Sequence, residues 1–159
     1  DWVEKYSPAD VAAHYSEPLS NMIMDTPNTL LRILHYPPFN GTEEPGAIRA
    51  AAHEDINLLT ILPAANEPGL QVQAQDGQWL DVPGDFGHLI VNIGDMLQEA
   101  SQGYFPSTSH RVINPTGENS GKSRISLPLF LHPRSEVVLS KNHTQASYLL
   151  ERLKELGVK

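Results

Sequence analysis

Cysteine is absent from the 159 residues, which excludes disulfide frameworks, zinc–thiolate sites, iron–sulfur clusters and thiol nucleophiles. Positive charge is scarce: 11 Lys and Arg stand against 19 Asp and Glu, a formal net charge of −8. With no basic stripe for phosphates, the expectation is no nucleic acid and no membrane, and a small molecule as partner. No apolar run approaches the roughly 20 residues of a membrane span, and the start, Asp1-Trp2-Val3-Glu4-Lys5, is not laid out as a signal peptide. A soluble cytoplasmic protein is expected. The chain also begins without Met, inside what reads as a helical region, so the expectation is the C-terminal part of a longer protein.

What is present suffices for one domain, with 40% apolar residues to fill a core. Ser7-Pro8-Ala9-Asp10 has the layout of an N-cap, a first-turn proline and a first-turn acid, predicting a short helix to Tyr15. A second is expected over 19–24, within a helical lead-in of 1–29. From Leu30 short apolar runs alternate with Pro, Gly, Asn and Asp, the texture of a β-sandwich or barrel. Strands are predicted over 30–36, 58–63, 70–74, 88–93, 107–114, 124–132 and 137–139. Asp76-Gly77 reads as a hairpin turn, with Trp79 packed on it, and Gly94-Asp95 as another turn. In the final segment, 141–159, Thr144 can cap a helix, Leu149, Leu150, Leu153 and Leu156 form an apolar stripe, and Gly157 sits at the C′ position. This order predicts a mainly β jelly roll over 30–140 with flanking helices.

Of the seven histidines, His14, His35, His132 and His143 read as surface or packed imidazoles. His53 and Asp55 are two apart, so on extended backbone both face one side and Glu54 points away. A second imidazole from His110 completes two histidines and a carboxylate. That set leaves coordination positions open and suits ferrous iron. Zinc is the chemically similar rival, since such sites also serve hydrolases, although Glu54 would be badly placed as their general base.

Arg124-Ile125-Ser126 opens the most apolar strand. Period two puts Arg124, Ser126, Pro128 and Phe130 on one face and Ile125, Leu127, Leu129 and Leu131 on the other, with both faces expected to be buried. An inward guanidinium beside a hydroxyl suits a carboxylate. Tyr36, ending an earlier strand, is a further donor, and Leu70, Val72, Phe105 and Phe130 are candidates to line the cavity.

These residues resemble the isopenicillin N synthase-like branch of the iron(II)/2-oxoglutarate-dependent oxygenases over about 30–133. The likeness rests on five motifs in order: His53-Glu54-Asp55-Ile56-Asn57-Leu58-Leu59-Thr60, Gly69-Leu70-Gln71-Val72, Val91-Asn92-Ile93-Gly94-Asp95-Met96, Ser109-His110-Arg111-Val112 and Arg124-Ile125-Ser126-Leu127-Pro128. The resemblance implies a double-stranded β-helix (jelly roll), with Fe(2+) held by His53, Asp55 and His110. It implies that Arg124, Ser126 and Tyr36 bind the co-substrate 2-oxoglutarate, and that O2 oxidises a small molecule by hydroxylation, desaturation or ring closure with release of succinate and CO2. Leu34 stands where the family's Tyr-Pro segment has an Asn. The family's N-terminal region, which would complete the pocket, is expected to lie outside these residues. Relatives that use no 2-oxoglutarate, of the isopenicillin N synthase or aminocyclopropanecarboxylate oxidase type, keep the same Arg-x-Ser, so that reading stays open. From another class, a zinc hydrolase or a non-catalytic metal-binding sandwich stays open too.

Overall fold

The computed structural model describes every residue except Asp1, Gly41, Pro45, Phe86, Glu118, Asn119 and Lys159. Ten strands and five helices are found among the described residues. Three short helices lead: α1 (Trp2–Tyr6), α2 (Ala9–Ala12) and α3 (Leu19–Met22). The N-cap position of α2 is taken by Pro8, not Ser7, and the helix stops at Ala12 rather than Tyr15. The Ser7 hydroxyl is occupied elsewhere, donating to the Val3 carbonyl at 2.9 Å and meeting the Tyr15 hydroxyl at 3.1 Å.

The strands are β1 (Leu30–Leu31), β2 (Leu34–Tyr36), β3 (Ala50–His53), β4 (Leu59–Pro63), β5 (Leu70–Gln73), β6 (Trp79–Asp81), β7 (Leu89–Ile93), β8 (His110–Val112), β9 (Arg124–Ser126) and β10 (Leu129–Leu131). All pair antiparallel, in sheets ordered β1-β10-β4-β7 and β3-β8-β5-β6, with β2-β9 as a separate pair. This is a jelly roll. The expected seven strands become ten because two long runs are broken, β3 and β6 form outside the expected ranges, and 137–139 is lost. The run 124–132 divides at Leu127-Pro128, where proline has no N–H to continue a ladder. The run 30–36 divides opposite it, and the Arg32 N–H donates to the Pro128 carbonyl across the break. Residues 137–139 form no strand. Val138 makes one isolated bridge to Thr144, while Val137 and Leu139 are buried. The hairpin at Asp76-Gly77 joins β5 to β6, and the Arg111 guanidinium lies 4.1 Å over the Trp79 ring.

Two clusters make the core. The larger gathers Leu19, Met22, Leu58, Met96, Leu97, Ala100, Val137 and Leu139 between the helices and one sheet. The smaller, Leu62, Leu70 and Val112, lies inside the sandwich. The interior between the sheets is thus only partly filled, which leaves a cavity. Two further helices close the larger cluster. One, α4 (Asp95–Ala100), begins at Gly94-Asp95, read from sequence as a turn. The other, α5 (Gln145–Glu155), starts at Thr144 with a capping box to Ser147 and ends near Gly157 at φ 71°. Its expected stripe is only partly used: Leu149 packs on the core, whereas Leu150 and Leu156 are exposed.

Candidate metal centre and carboxylate pocket

The cavity takes its walls from both sheets and from the β2-β9 pair. On β5, β8, β4, β7 and β10 the inward residues follow period two: Leu70 and Val72, His110 and Val112, Thr60 and Leu62, Ile90 and Asn92, then Phe130. On β3 they do not. Ala50 and His53 both face inward, three positions apart. The register explains this, because Ala50 pairs with Val112 and His53 with His110, so three steps along β3 match two along β8. A β-bulge supplies the extra residue and turns His53 back into the cavity, directly opposite His110. Their ring centroids are 4.3 Å apart.

Asp55 follows β3 and completes the set. His53 Nε2 is 4.0 Å and His110 Nε2 3.7 Å from Asp55 Oδ1, and the three candidate ligand atoms all lie within 4.8 Å of one another. Each imidazole is oriented from behind. His53 Nδ1 lies 2.7 Å from the Ala51 carbonyl and His110 Nδ1 2.9 Å from the Thr108 carbonyl. A carbonyl only accepts, so both Nδ1 atoms carry the proton and both Nε2 lone pairs face the centre.

Asp55 is buried, at 7% exposure. Its Oδ2 accepts from the Thr60 hydroxyl at 2.5 Å and from Asn92 Nδ2 at 3.0 Å, leaving Oδ1 for the imidazole side. Thr60 and Asn92 are cross-strand partners on β4 and β7, and the Thr60 hydroxyl itself accepts from Asn57 Nδ2 at 2.9 Å. The first turn of α4 holds the same loop. The N–H groups of Gly94, Asp95 and Met96 donate to the carbonyls of Leu58, Asp55 and Asn57 at 3.0, 2.7 and 3.1 Å. Thr60, Asn92 and Asn57 carry no role that the sequence alone predicts. Their one local signal is that they are polar residues inside or beside apolar runs. Glu54 turns away, as expected: Asp95 and Arg152 are its neighbours, and partial burial followed by the Asp95 charge pushes its carboxyl above the ordinary range.

At the cavity's other end, Arg124 and Ser126 point inward from β9, at 2% and 6% exposure. Arg124 Nε donates to the Glu67 carbonyl at 3.1 Å, whereas its Nη1 is buried without a partner among the described residues. A buried, unpaired guanidinium N–H is costly unless an anion meets it. Tyr36 pairs with Arg124 across β2 and β9, and the guanidinium carbon lies 5.8 Å from its ring centroid. Burial lowers the Arg124 pKa, Tyr36 opposes that shift and Arg49 adds to it.

Of the candidate lining residues, Leu70, Val72 and Phe130 face the cavity, as does Leu34. Phe105 does not. It packs against the helical core, with Tyr104 edge-on at 4.9 Å, because its N–H is tied to the Ser101 hydroxyl beyond α4. The expectation that both faces of 124–132 are buried also fails, since Ile125 and Leu127 are 45% and 39% exposed.

A jelly roll with two imidazoles and one carboxylate at one end of its cavity, and a buried Arg and Ser at the other, defines a class of metal-dependent oxygenases. The 2OG-Fe(II) oxygenase superfamily model matches residues 27–133, and the chain belongs to that superfamily. It is 70% identical to a Shewanella oneidensis protein assigned as an oxygenase, whose crystal structure superposes with a TM-score of 0.90 over 99% of this chain and 59% of that one. A full-length Neurospora crassa protein, crystallised in complex with alpha-KG, is 28% identical, with a TM-score of 0.70 over 79% of this chain and 44% of that one. Gibberellin 2-beta-dioxygenase 1 of Arabidopsis thaliana is 35% identical over 123 residues, covering 72% of this chain and 36% of the relative's length. The chain therefore spans about a third of that curated relative.

Proposed function

We propose that the chain is the catalytic core of an iron(II)- and 2-oxoglutarate-dependent oxygenase that oxidises a small molecule by hydroxylation, desaturation or ring closure, with release of succinate and CO2. The observation that carries this reading is one cavity with complementary ends. The set of His53 Nε2, His110 Nε2 and Asp55 Oδ1 fits ferrous iron by donor type and by its shared direction. The unpaired Nη1 of Arg124, beside the buried Ser126 hydroxyl, fits a carboxylate. Iron bound to these three residues would supply the activation of oxygen.

The chain's own residues divide the remaining work. Thr60 and Asn92 keep the Asp55 carboxylate turned toward the histidines, and the Ala51 and Thr108 carbonyls hold each imidazole in its ligating tautomer. Arg124, Ser126 and Tyr36 orient the distal carboxylate of 2-oxoglutarate. Leu34, Leu62, Leu70, Val72, Ile90 and Phe130 exclude water from the space between. No general base enters this scheme, in keeping with Glu54 facing away, and that weighs against a zinc hydrolase. A small-molecule substrate is supported by the crystal structure of the same Neurospora crassa protein with alpha-KG and thymine.

The test is anaerobic titration of the protein with Fe(II) and then 2-oxoglutarate. The visible charge-transfer band of the chelate is expected, and Asp55→Ala should lose both the band and the metal. Iron binding without the band would overturn the 2-oxoglutarate assignment in favour of an oxidase that draws its electrons elsewhere.

A further inference from the structure

We propose that Arg49 is a positioning residue for the carboxylate end of the cavity, setting its preference for a co-substrate with a second, distal carboxylate. The proposal rests on the oxygenase reading above. Arg49 immediately precedes β3, four residues before His53. Its main-chain N–H donates to Asn114 Oδ1 at 3.0 Å, just beyond β8. Its Nη2 donates to two carbonyls at once: Pro37, which follows Tyr36, at 3.3 Å, and Lys122, two residues before Arg124, at 2.9 Å. One side chain therefore ties the exit of β2 and the entry of β9 to the strand that carries His53. Among the described residues no strand pairing makes that link, because β2 and β9 pair there with each other alone.

The electrostatics point the same way. The Arg49 and Arg124 guanidinium carbons lie 6.0 and 5.8 Å from the centroid of the same Tyr36 ring. Both cations are partly or fully buried, and burial lowers the pKa of each. Lys122 also stands nearby, with Glu67 as its carboxylate partner at 3.7 Å. This end of the cavity is therefore held cationic. Arg124 offers the direct contact, while Arg49 fixes the Tyr36 ring and the β2-β9 pair and adds a second charge behind them. A keto acid that ends in a methyl group would gain nothing from either.

The test compares wild type, Arg49→Gln and Arg49→Lys, all loaded with Fe(II) without oxygen, by titrating 2-oxoglutarate and 2-oxobutyrate. The second has the same chelating end and no distal carboxylate. Arg49→Gln should weaken 2-oxoglutarate by about tenfold, the scale of a lost hydrogen bond from a charged donor that holds the β2-β9 pair behind the Arg124 contact, and leave 2-oxobutyrate and Fe(II) affinity unchanged. Arg49→Lys should recover part of the loss, through its charge. Equal weakening of both ligands would reduce Arg49 to a structural strut and overturn the proposal, as would wild-type 2-oxoglutarate affinity in Arg49→Gln. Should Arg49→Gln fail to fold, the selectivity ratio of Arg49→Lys decides: a ratio equal to wild type overturns the proposal. A wild type without the chelate band would overturn this inference together with the function it rests on.

Discussion

Thr60→Val removes one hydroxyl and keeps the branched shape. The lost bond is the 2.5 Å contact to Asp55 Oδ2, at a residue 2% exposed. A hydrogen bond to a charged acceptor contributes about 1.5–3 kcal/mol net, and outer-shell changes of this kind cost roughly ten- to a hundred-fold in metal affinity. Two other bonds persist in the variant. Asn92 Nδ2 still donates to Oδ2 at 3.0 Å, and Asn57 Nδ2 still reaches the Leu59 carbonyl at 3.1 Å, so neither group is stranded. The expectation is therefore the lower end of that range, about tenfold weaker binding. Calorimetric titration with Mn(II) measures it directly, and Thr60→Ser should bind as wild type because the donor is restored. Unchanged affinity in Thr60→Val would refute the idea that the cross-strand pair orients the carboxylate. Equal damage in Thr60→Ser would assign the effect to packing.

Gly94→Ala would set a Cβ 2.2 Å from the Asn57 carbonyl oxygen and 2.3 Å from its Oδ1. A destabilisation of about 3 kcal/mol or more is expected, read as a Tm lower by roughly 6–12 °C; an unchanged Tm would contradict the close approach. His143 bonds Glu99 at 3.1 Å and Glu151 at 3.2 Å, which raises its pKa above 6.5, with Glu99 the larger cause. A raised folded-state value stabilises fully below the unfolded pKa and is lost as pH rises through the folded one. The Tm difference between wild type and His143→Gln should therefore shrink from mildly acidic to alkaline pH, and a constant difference would sink the assignment.

The site was more legible than the scaffold. His53, Asp55, His110, Arg124 and Ser126 carry chemistry that apolar strands do not otherwise tolerate, so pattern and residue type point the same way. Breaks and bulges leave a fainter trace. Pro128 divides its strand, yet the sequence reads as one apolar run on both sides of it. Phe105 has the hydrophobicity of a lining residue, but a hydrogen bond to Ser101, set by the end of α4, turns its backbone toward the helical core. Thr60 and Asn92 acquire their role only when β4 and β7 come into register, a long-range fact that no local window contains.

The carboxylate and the imidazoles are anchored to opposite halves of the sandwich. Asp55 is gripped from β4 and β7 of one sheet, and His53 and His110 stand on β3 and β8 of the other. An ion bound by all three is thus a rivet through two layers whose interior is otherwise thinly filled. Sliding one layer over the other would pull the donors apart, so metal occupancy adds to the resistance against shear. Loading the centre should tighten amide exchange along β4, β7 and β8 together, far beyond the residues that touch the ion.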